Sequence, residues 1–473
     1  MISPALLLER KTFFAALPGC MALALVVVLT VHALASGQSR RQADGAATAQ
    51  FEASVEKSMH DWRGALARVE AEGPSASRFA GRPMNIAYPA ALAPATLGDF
   101  AVGPSDLHPA TAKITPWNTP GNLFSHYQFQ NPTVLALGRF DLTFVVVVIM
   151  PLLMIAVSFD VLGGERSRGT LRIAAAQAAR LDRFVWKRLM LRNGALWLTL
   201  IVIAAVAALV QAPDASRIGR ILRFAAWTGA TATYALLWFG LVAAAVAWLK
   251  RSETVAASLV AGWAVLVLAV PALADAAGEA LNPPPSRLAY LSQMREAQNV
   301  ANREVDRLTQ GFLLDHPELT VADESAPVPF HRSAYLANLE VERRTAPVLA
   351  AFAHAYAQRR ALRERVQYLS PAIVVQNALN SIAGADVDRY VRFAVHARVS
   401  LARLNELVGG AVVSGGRTSL AELDAFSCCD LAEPRLAHVL HKSVFPLVCV
   451  VLLAGILLLI SGRRLAAPLE QLL

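Results

Sequence analysis

Leu142-Thr-Phe-Val-Val-Val-Val-Ile-Met-Pro-Leu-Leu-Met-Ile-Ala-Val-Ser-Phe-Asp-Val-Leu162 is apolar almost throughout. A hydrocarbon core about 30 Å thick takes roughly 20 apolar residues in a helix, because only a helix or a closed barrel satisfies its own backbone there. Working outward, the same signature recurs at Thr12 to Ala35, Gly194 to Val210, Phe224 to Leu249, Thr254 to Ala274 and Val444 to Ile460. The chain therefore reads as an all-α membrane protein with six transmembrane helices. Composition agrees: over 473 residues, 55% hydrophobic content against 17% charge exceeds what a water-soluble fold needs. Thr12 to Ala35 is read as retained, since its apolar stretch is long and only Ala33 and Ala35 hint at a signal cleavage site.

The net charge of +9 points to anionic lipid rather than nucleic acid, because Arg and Lys cluster beside the apolar runs and form no basic face interleaved with aromatics. Their positions also set orientation. Arg166, Arg168, Arg172, Arg180, Arg183, Lys187, Arg188 and Arg192 crowd the 163–193 connection and make it cytoplasmic. Arg10 and Lys11, Lys250 and Arg251, and Arg463 and Arg464 then share that side, and both chain ends are expected there. Arg217, Arg220 and Arg223 disagree, falling in a hairpin that this parity places outside.

Two large segments are left external, 36–141 and 275–442. The first opens with an expected helix around Ala46 to Glu70 and becomes rich in Pro, Gly and Ala. The second shows Met294, Ala297, Ala301, Val305, Leu308 and Phe312 at helical spacing, and Val348, Phe352, Ala355, Leu362 and Val366 again further on. Breakers between them predict an antiparallel helical pair rising from the membrane. No β pattern of comparable length and no repeat is visible. The expected architecture is thus a six-helix bundle with a mainly helical extracytoplasmic domain built from two insertions, and a tail over 461–473.

The spans are nearly free of ionisable groups, His32 being the one well inside an apolar run, so coupling to protons or sodium lacks a carboxylate or His set. No G-x-x-x-x-G-K-[ST] is present, and Gly163-Gly-Glu-Arg-Ser-Arg-Gly169 has no Lys to reach a phosphate. Energy for uphill movement has to come from a partner. The Gly163–Arg192 segment is where such a partner is expected to act: a short rigid helix joins two spans, its arginines are suited to carboxylates, and Gly169 removes a side chain where backbone comes close. An ordinary positive-inside loop with snorkelling arginines is the competing reading.

Gly164-Glu-Arg-Ser-Arg-Gly-Thr-Leu171, followed by Arg180-Leu-Asp-Arg-Phe-Val-Trp-Lys187, resembles the coupling-helix segment of type-2 ATP-binding-cassette permeases. Asn131-Pro-Thr-Val-Leu-Ala-Leu-Gly-Arg-Phe-Asp-Leu142 looks like the branch with six transmembrane helices and two enlarged external domains, a permease family carrying a domain of unknown function. Tyr368-Leu-Ser-Pro-Ala-Ile-Val-Val-Gln-Asn-Ala-Leu-Asn380, Ala383-Gly-Ala-Asp386 and Tyr390-Val-Arg-Phe393 are similar to the same branch. The resemblance implies ATPase coupling through Glu165, Arg166, Arg168, Gly169, Thr170, Leu171 and Arg172. It also implies a cytoplasmic ATPase that carries the ATP and Mg, a second permease copy or sibling, an amphipathic interfacial helix over 1–11 on the cytoplasmic side, and a bacterial inner-membrane location. It implies no substrate, and the size of the external segments departs from compact exporters of the type.

Cys428-Cys-Asp430 and His438-Val-Leu-His441 form one further constellation, with two imidazoles three residues apart on a helix face and thiols nearby. Two more ligands are not identifiable, so surface histidines are expected and Cys428, Cys429, His438 and His441 are not assigned as a metal site. No cofactor is expected in this chain and no catalytic group is identified. Besides transport through the spans, two alternatives stand: a mechanotransmitting subunit that drives its external helices without moving solute, and a membrane-anchored sensor or scaffold. The last is weakened because six spans exceed what an anchor needs and no output-domain signature follows Val444–Ile460.

Overall fold

The computed structural model describes residues 17–72, 82–103, 108–124, 140–169, 181–210, 217–315, 330–416, 418–419, 423, 426 and 433–466. The expected interfacial helix over 1–11, the Asn131–Arg139 stretch, Thr170 to Arg180 and most of the tail lie outside the described residues. Among those described, six helices are long and apolar enough to cross a membrane. They fit a multi-pass membrane protein, and the described residues are all-α apart from one small sheet.

The first span does not stop where its apolar run ends. Helix α1 runs Leu17–Glu72 without interruption, 56 residues, about 84 Å at the α-helical rise. The sequence suggested a span and a separate helix from Ala46. No proline separates them, and the intervening Ala, Arg and Gln are good helix formers, so nothing breaks the ladder. Its first half buries Ala22, Val26, Ala33 and Leu34 among the spans, and its far half buries Met59, Trp62 and Leu66 in a separate outer core.

Span 2 begins at Asp141, whose carboxylate accepts from Phe144 N at 2.7 Å and Val102 N at 2.9 Å. It continues through a π-helical stretch, Val145–Ile149, into α2, Met150–Ser158. The short α3, Gly163–Ser167, turns the chain. Spans 3 and 4 are α4, Leu181–Val210, and α5, Arg217–Trp248. Span 5 is α6, Ser252–Trp263, a second π-helical stretch, Ala264–Ala269, and α7, Val270–Leu281.

Both π-helical stretches precede a proline, Pro151 or Pro271, whose missing N–H frees a carbonyl inside the bundle. Other elements supply the donors. Tyr234 Oη donates to Val147 O at 3.0 Å, Trp263 Nε1 to Val148 O at 3.0 Å, and Ser370 Oγ to Leu266 O at 2.5 Å. This is how an irregular backbone is tolerated away from water.

Beyond span 5 lie α8, Arg287–Arg303, α9, Val305–Asp315, and the long α10, Phe330–Val366. The second half of span 5 and α8 run antiparallel to α10, as four contacts show. Asp275 pairs with Arg363 at 3.5 Å, Arg359 Nε donates to Asn282 O at 2.7 Å, Tyr290 meets Phe352 edge-on at 6.0 Å, and Ala297 and Ala301 pack with Ala337 and Val341. The expected pair of helices forms, with the first divided at Glu304.

Next come α11, Pro371–Ala383, and α12, Val387–Ser414. The former is too short to span, yet Val374, Val375, Ala378, Leu379 and Ile382 belong to the span core, packed on α5 and the sixth span. The second insertion is thus not wholly external to the bundle. Its Ser370 N-cap accepts from Ile373 N while donating to span 5, and Gly384, at φ +80°, ends it in the left-handed conformation that only glycine takes without penalty. Span 6 is α13, Leu436–Leu465. It packs closely on α5: a Cβ at Gly240 would come within 3.1 Å of Leu457 Cβ, the small-residue approach typical of membrane helices. Leu198, Val202 and Val206, and Leu452, Ile456 and Leu459, line outward faces suited to lipid.

The first insertion holds one feature the periodicity did not disclose. Strands β1, Tyr88–Ala91, and β2, Thr111–Ile114, pair antiparallel. Four residues each, with Pro89 in the first, are too short to leave a period-2 signal. They pack with α1, α10 and α12 to form the outer core.

Candidate functional site

Alternation of the spans puts the Gly163 turn, the Leu249–Ser252 turn and the last turn of α13 on one face, and both insertions on the other. On the turn face, α3 is fastened to three neighbours. Arg188 of α4 reaches Glu165 at 2.9 Å, and Arg192 of α4 reaches Asp160 at 3.1 Å and Val157 O at 2.8 Å. Arg166 Nη1 donates to Leu249 O at 3.0 Å and Lys250 O at 3.3 Å, capping the C-terminal end of α5 where carbonyls lack helical partners. Gly163 lies directly against Ser252, the first residue of α6, with no room for a Cβ.

One turn therefore holds the ends of spans 2, 3, 4 and 5. Glu165 and Arg166 face inward to these partners, whereas Ser167, Arg168 and Gly169 are exposed, Gly169 at φ +70°. Thr170, Leu171 and Arg172 lie outside the described residues.

The opposite face holds a cluster that the positive-inside count could not anticipate. Arg220 and Arg223, on the first turns of α5, are buried. Arg220 donates from Nε to Ala208 O at 3.0 Å, from Nη2 to Asp99 Oδ2 at 2.7 Å, and from Nη1 to Thr96 O. Asp99 also faces Arg41 of α1 at 3.7 Å, and Gly37 leaves space for the Asp99 backbone. Arg223 donates to Ile382 O at 3.0 Å and Pro434 O at 2.7 Å and stands 3.7 Å from Glu433, which accepts from Thr96 Oγ1. Two arginines thus tie span 4 to span 3, both insertions and the start of span 6. Burial pushes the Arg41 pKa down, reinforced by Arg220 and opposed by Asp99 and Glu433. Their threefold spacing, with Arg217, on a helix that soon becomes apolar was the available signal; the carboxylates they meet are remote in sequence.

His438 and His441 are both exposed on α13. Cys428 and Cys429 lie outside the described residues, and among those described no group of three or more His, Cys, Asp or Glu is placed to hold a metal. His32 is exposed and contacts Phe140 at 5.6 Å between ring centres.

Residues 287–426 match a family model described as Domain of unknown function (DUF3526). The match runs from the start of α8 through the outer arm, α11 and α12, and leaves the Gly163 turn outside it. No curated protein and no solved structure matches the chain.

Proposed function

We propose that this chain is the membrane-spanning permease subunit of an ATP-binding-cassette transporter, coupling ATP hydrolysis by a separate cytoplasmic subunit to export or envelope translocation of a substrate. The carrying observation is the fastening of one exposed turn to four span ends through Gly163, Glu165 and Arg166. Force applied to Arg168 and Gly169 reaches spans 2 to 5 together, which a solvated loop would not achieve. On this reading the Gly163 turn faces the cytoplasm and the insertions face the periplasm of a bacterial inner membrane. ATP and Mg belong to the partner, and a second permease copy or sibling completes the assembly. The sequence resemblance at Gly164 to Leu171 supports the same assignment.

The reading is tested by co-purifying the detergent-solubilised chain with an ATPase encoded beside it. Retention of the ATPase, and its loss on Arg168→Glu with the fold intact, is the expected result. An unaltered complex in that variant, or no ATPase bound at all, overturns the docking surface.

A second reading, mechanotransmission, is favoured by α1 and span 5. The first passes unbroken from the span core to the outer core, and the second continues into the antiparallel arm with α10. Motion at the turn face is delivered to the insertions along these helices even when nothing passes between the spans. Solute movement across sealed vesicles separates the two, since only the first reading requires it.

A further inference from the structure

Beside the arginine cluster, Arg389 and Arg392 lie one helical turn apart on the same face of α12. With Ala93, Pro94, Glu433 and Pro434 they line a cavity of about 100 Å³. Arg389 is buried and donates to Ala93 O. Arg392 is different: its Nη2 is closed to solvent and has no hydrogen-bond partner among the described residues. Glu433 Oε1 is likewise enclosed and accepts no hydrogen bond from the described residues, with the Arg223 guanidinium 3.7 Å away.

An unsatisfied donor and an unsatisfied acceptor, both charged, thus belong to residues lining one cavity. Leaving either without a partner away from water is unfavourable. The charges here also do not cancel: among the described groups that act on Arg389, Arg223 and Arg392 add cationic charge and Asp386 and Glu433 alone oppose it. A water would satisfy hydrogen bonds and leave that excess. A group with an anionic end for Arg392 and an N–H-bearing cationic end for Glu433 satisfies both atoms, and a phosphate supplies the charge.

We propose that this cavity is a subsite for a phosphate–ammonium headgroup, the phosphate held by Arg392 and the primary ammonium by Glu433. The cavity adjoins Arg223, on the first turns of span 4, and Pro434, just before span 6, where the spans meet the insertions. An ethanolamine phospholipid or a free phosphoethanolamine presents this chemistry. A choline headgroup does not, since its trimethylated nitrogen has no hydrogen to donate.

The test uses the full chain, purified in detergent and depleted of lipid. Native mass spectrometry compares retention of ethanolamine and choline phospholipids with identical acyl chains, and calorimetry compares free O-phosphoethanolamine with O-phosphocholine. The expected result is preference for the ethanolamine compound by about tenfold, the scale of one charge-assisted hydrogen bond. Glu433→Gln should abolish the preference, and Arg392→Gln should weaken ethanolamine binding by about tenfold or more. Binding of the lipid alone identifies a membrane source; binding of both identifies the headgroup as sufficient. Equal retention of ethanolamine and choline compounds by the unaltered chain, a measurement that needs no variant, overturns the proposal, as does undiminished preference in Glu433→Gln.

Discussion

Arg220 Nη2 and Asp99 Oδ2 meet at 2.7 Å with both side chains fully closed to solvent, joining span 4 to the first insertion. Removing one member of such a pair strands a buried charge, which typically costs about 3–5 kcal/mol, whereas replacing both with apolar residues is often close to neutral. Asp99→Leu and Arg220→Leu are each expected to lower the unfolding midpoint of the purified chain strongly. The double variant should recover a large part of the loss. Additive effects in the double-variant cycle would show that the two groups do not depend on each other.

A different outcome separates two neighbouring arginines on the turn face. Arg166 caps Leu249 O and Lys250 O, so Arg166→Ala should destabilise the chain by about 1–3 kcal/mol as carbonyls lose a charged donor. Arg168 is exposed, and Arg168→Ala should stay within about 0.5 kcal/mol. Thermal unfolding of the isolated subunit in detergent distinguishes them. If Arg168→Ala proves the more damaging, the orientation of this turn is misassigned.

The contrast between these arginines also explains how far the sequence could be read. Apolar length announces a span by itself, because each residue contributes independently to burial in lipid, and all six appear from composition alone. The Arg217, Arg220 and Arg223 hairpin conflicted with the orientation rule because that rule counts arginines as solvated charges. Two of these three are structural, matched by Asp99 and by the Glu433–Pro434 segment, and no local pattern reveals such remote pairing. Helix α11 escaped for another reason: 13 residues fall below the length that marks a span, yet its apolar face completes the bundle. The Gly163 turn was legible as a motif. That Glu165 and Arg166 would be spent on intramolecular partners was not, because Arg188, Leu249 and Lys250 come to it through the packing of three spans.

The proline-linked π-helical stretches give a sharper expectation. Tyr234→Phe removes the hydroxyl that satisfies Val147 O while keeping the ring, and Ser370→Ala removes the donor to Leu266 O. A buried carbonyl left unpaired costs about 1–3 kcal/mol, so each variant should lose that much stability. Pro271→Ala restores a backbone N–H in span 5, and in that background Ser370→Ala should cost less. Equal losses with and without Pro271 would mean that the Ser370 hydroxyl is not replacing the donor that the proline lacks.

Acid sensitivity of the outer arm should trace to Glu340. Its side chain is buried, and hydrogen bonds from Arg343, with Arg344 adding to them, overcome burial and hold its pKa at about 2. A carboxylate whose pKa is lower in the folded state contributes stability above its unfolded value, near 4.3. That contribution is lost as pH falls through the folded value. The relevant window therefore runs from about pH 4.3 to the folded value near 2. Arg343 is 71% exposed and its attraction is screened, so the effect is smaller than the shift suggests. Glu340→Gln should lower stability at pH 6 and flatten its decline between pH 4.5 and pH 2.5, measured by unfolding of the full chain at fixed ionic strength. A decline as steep in Glu340→Gln as in the unaltered chain would assign the acid response to other carboxylates.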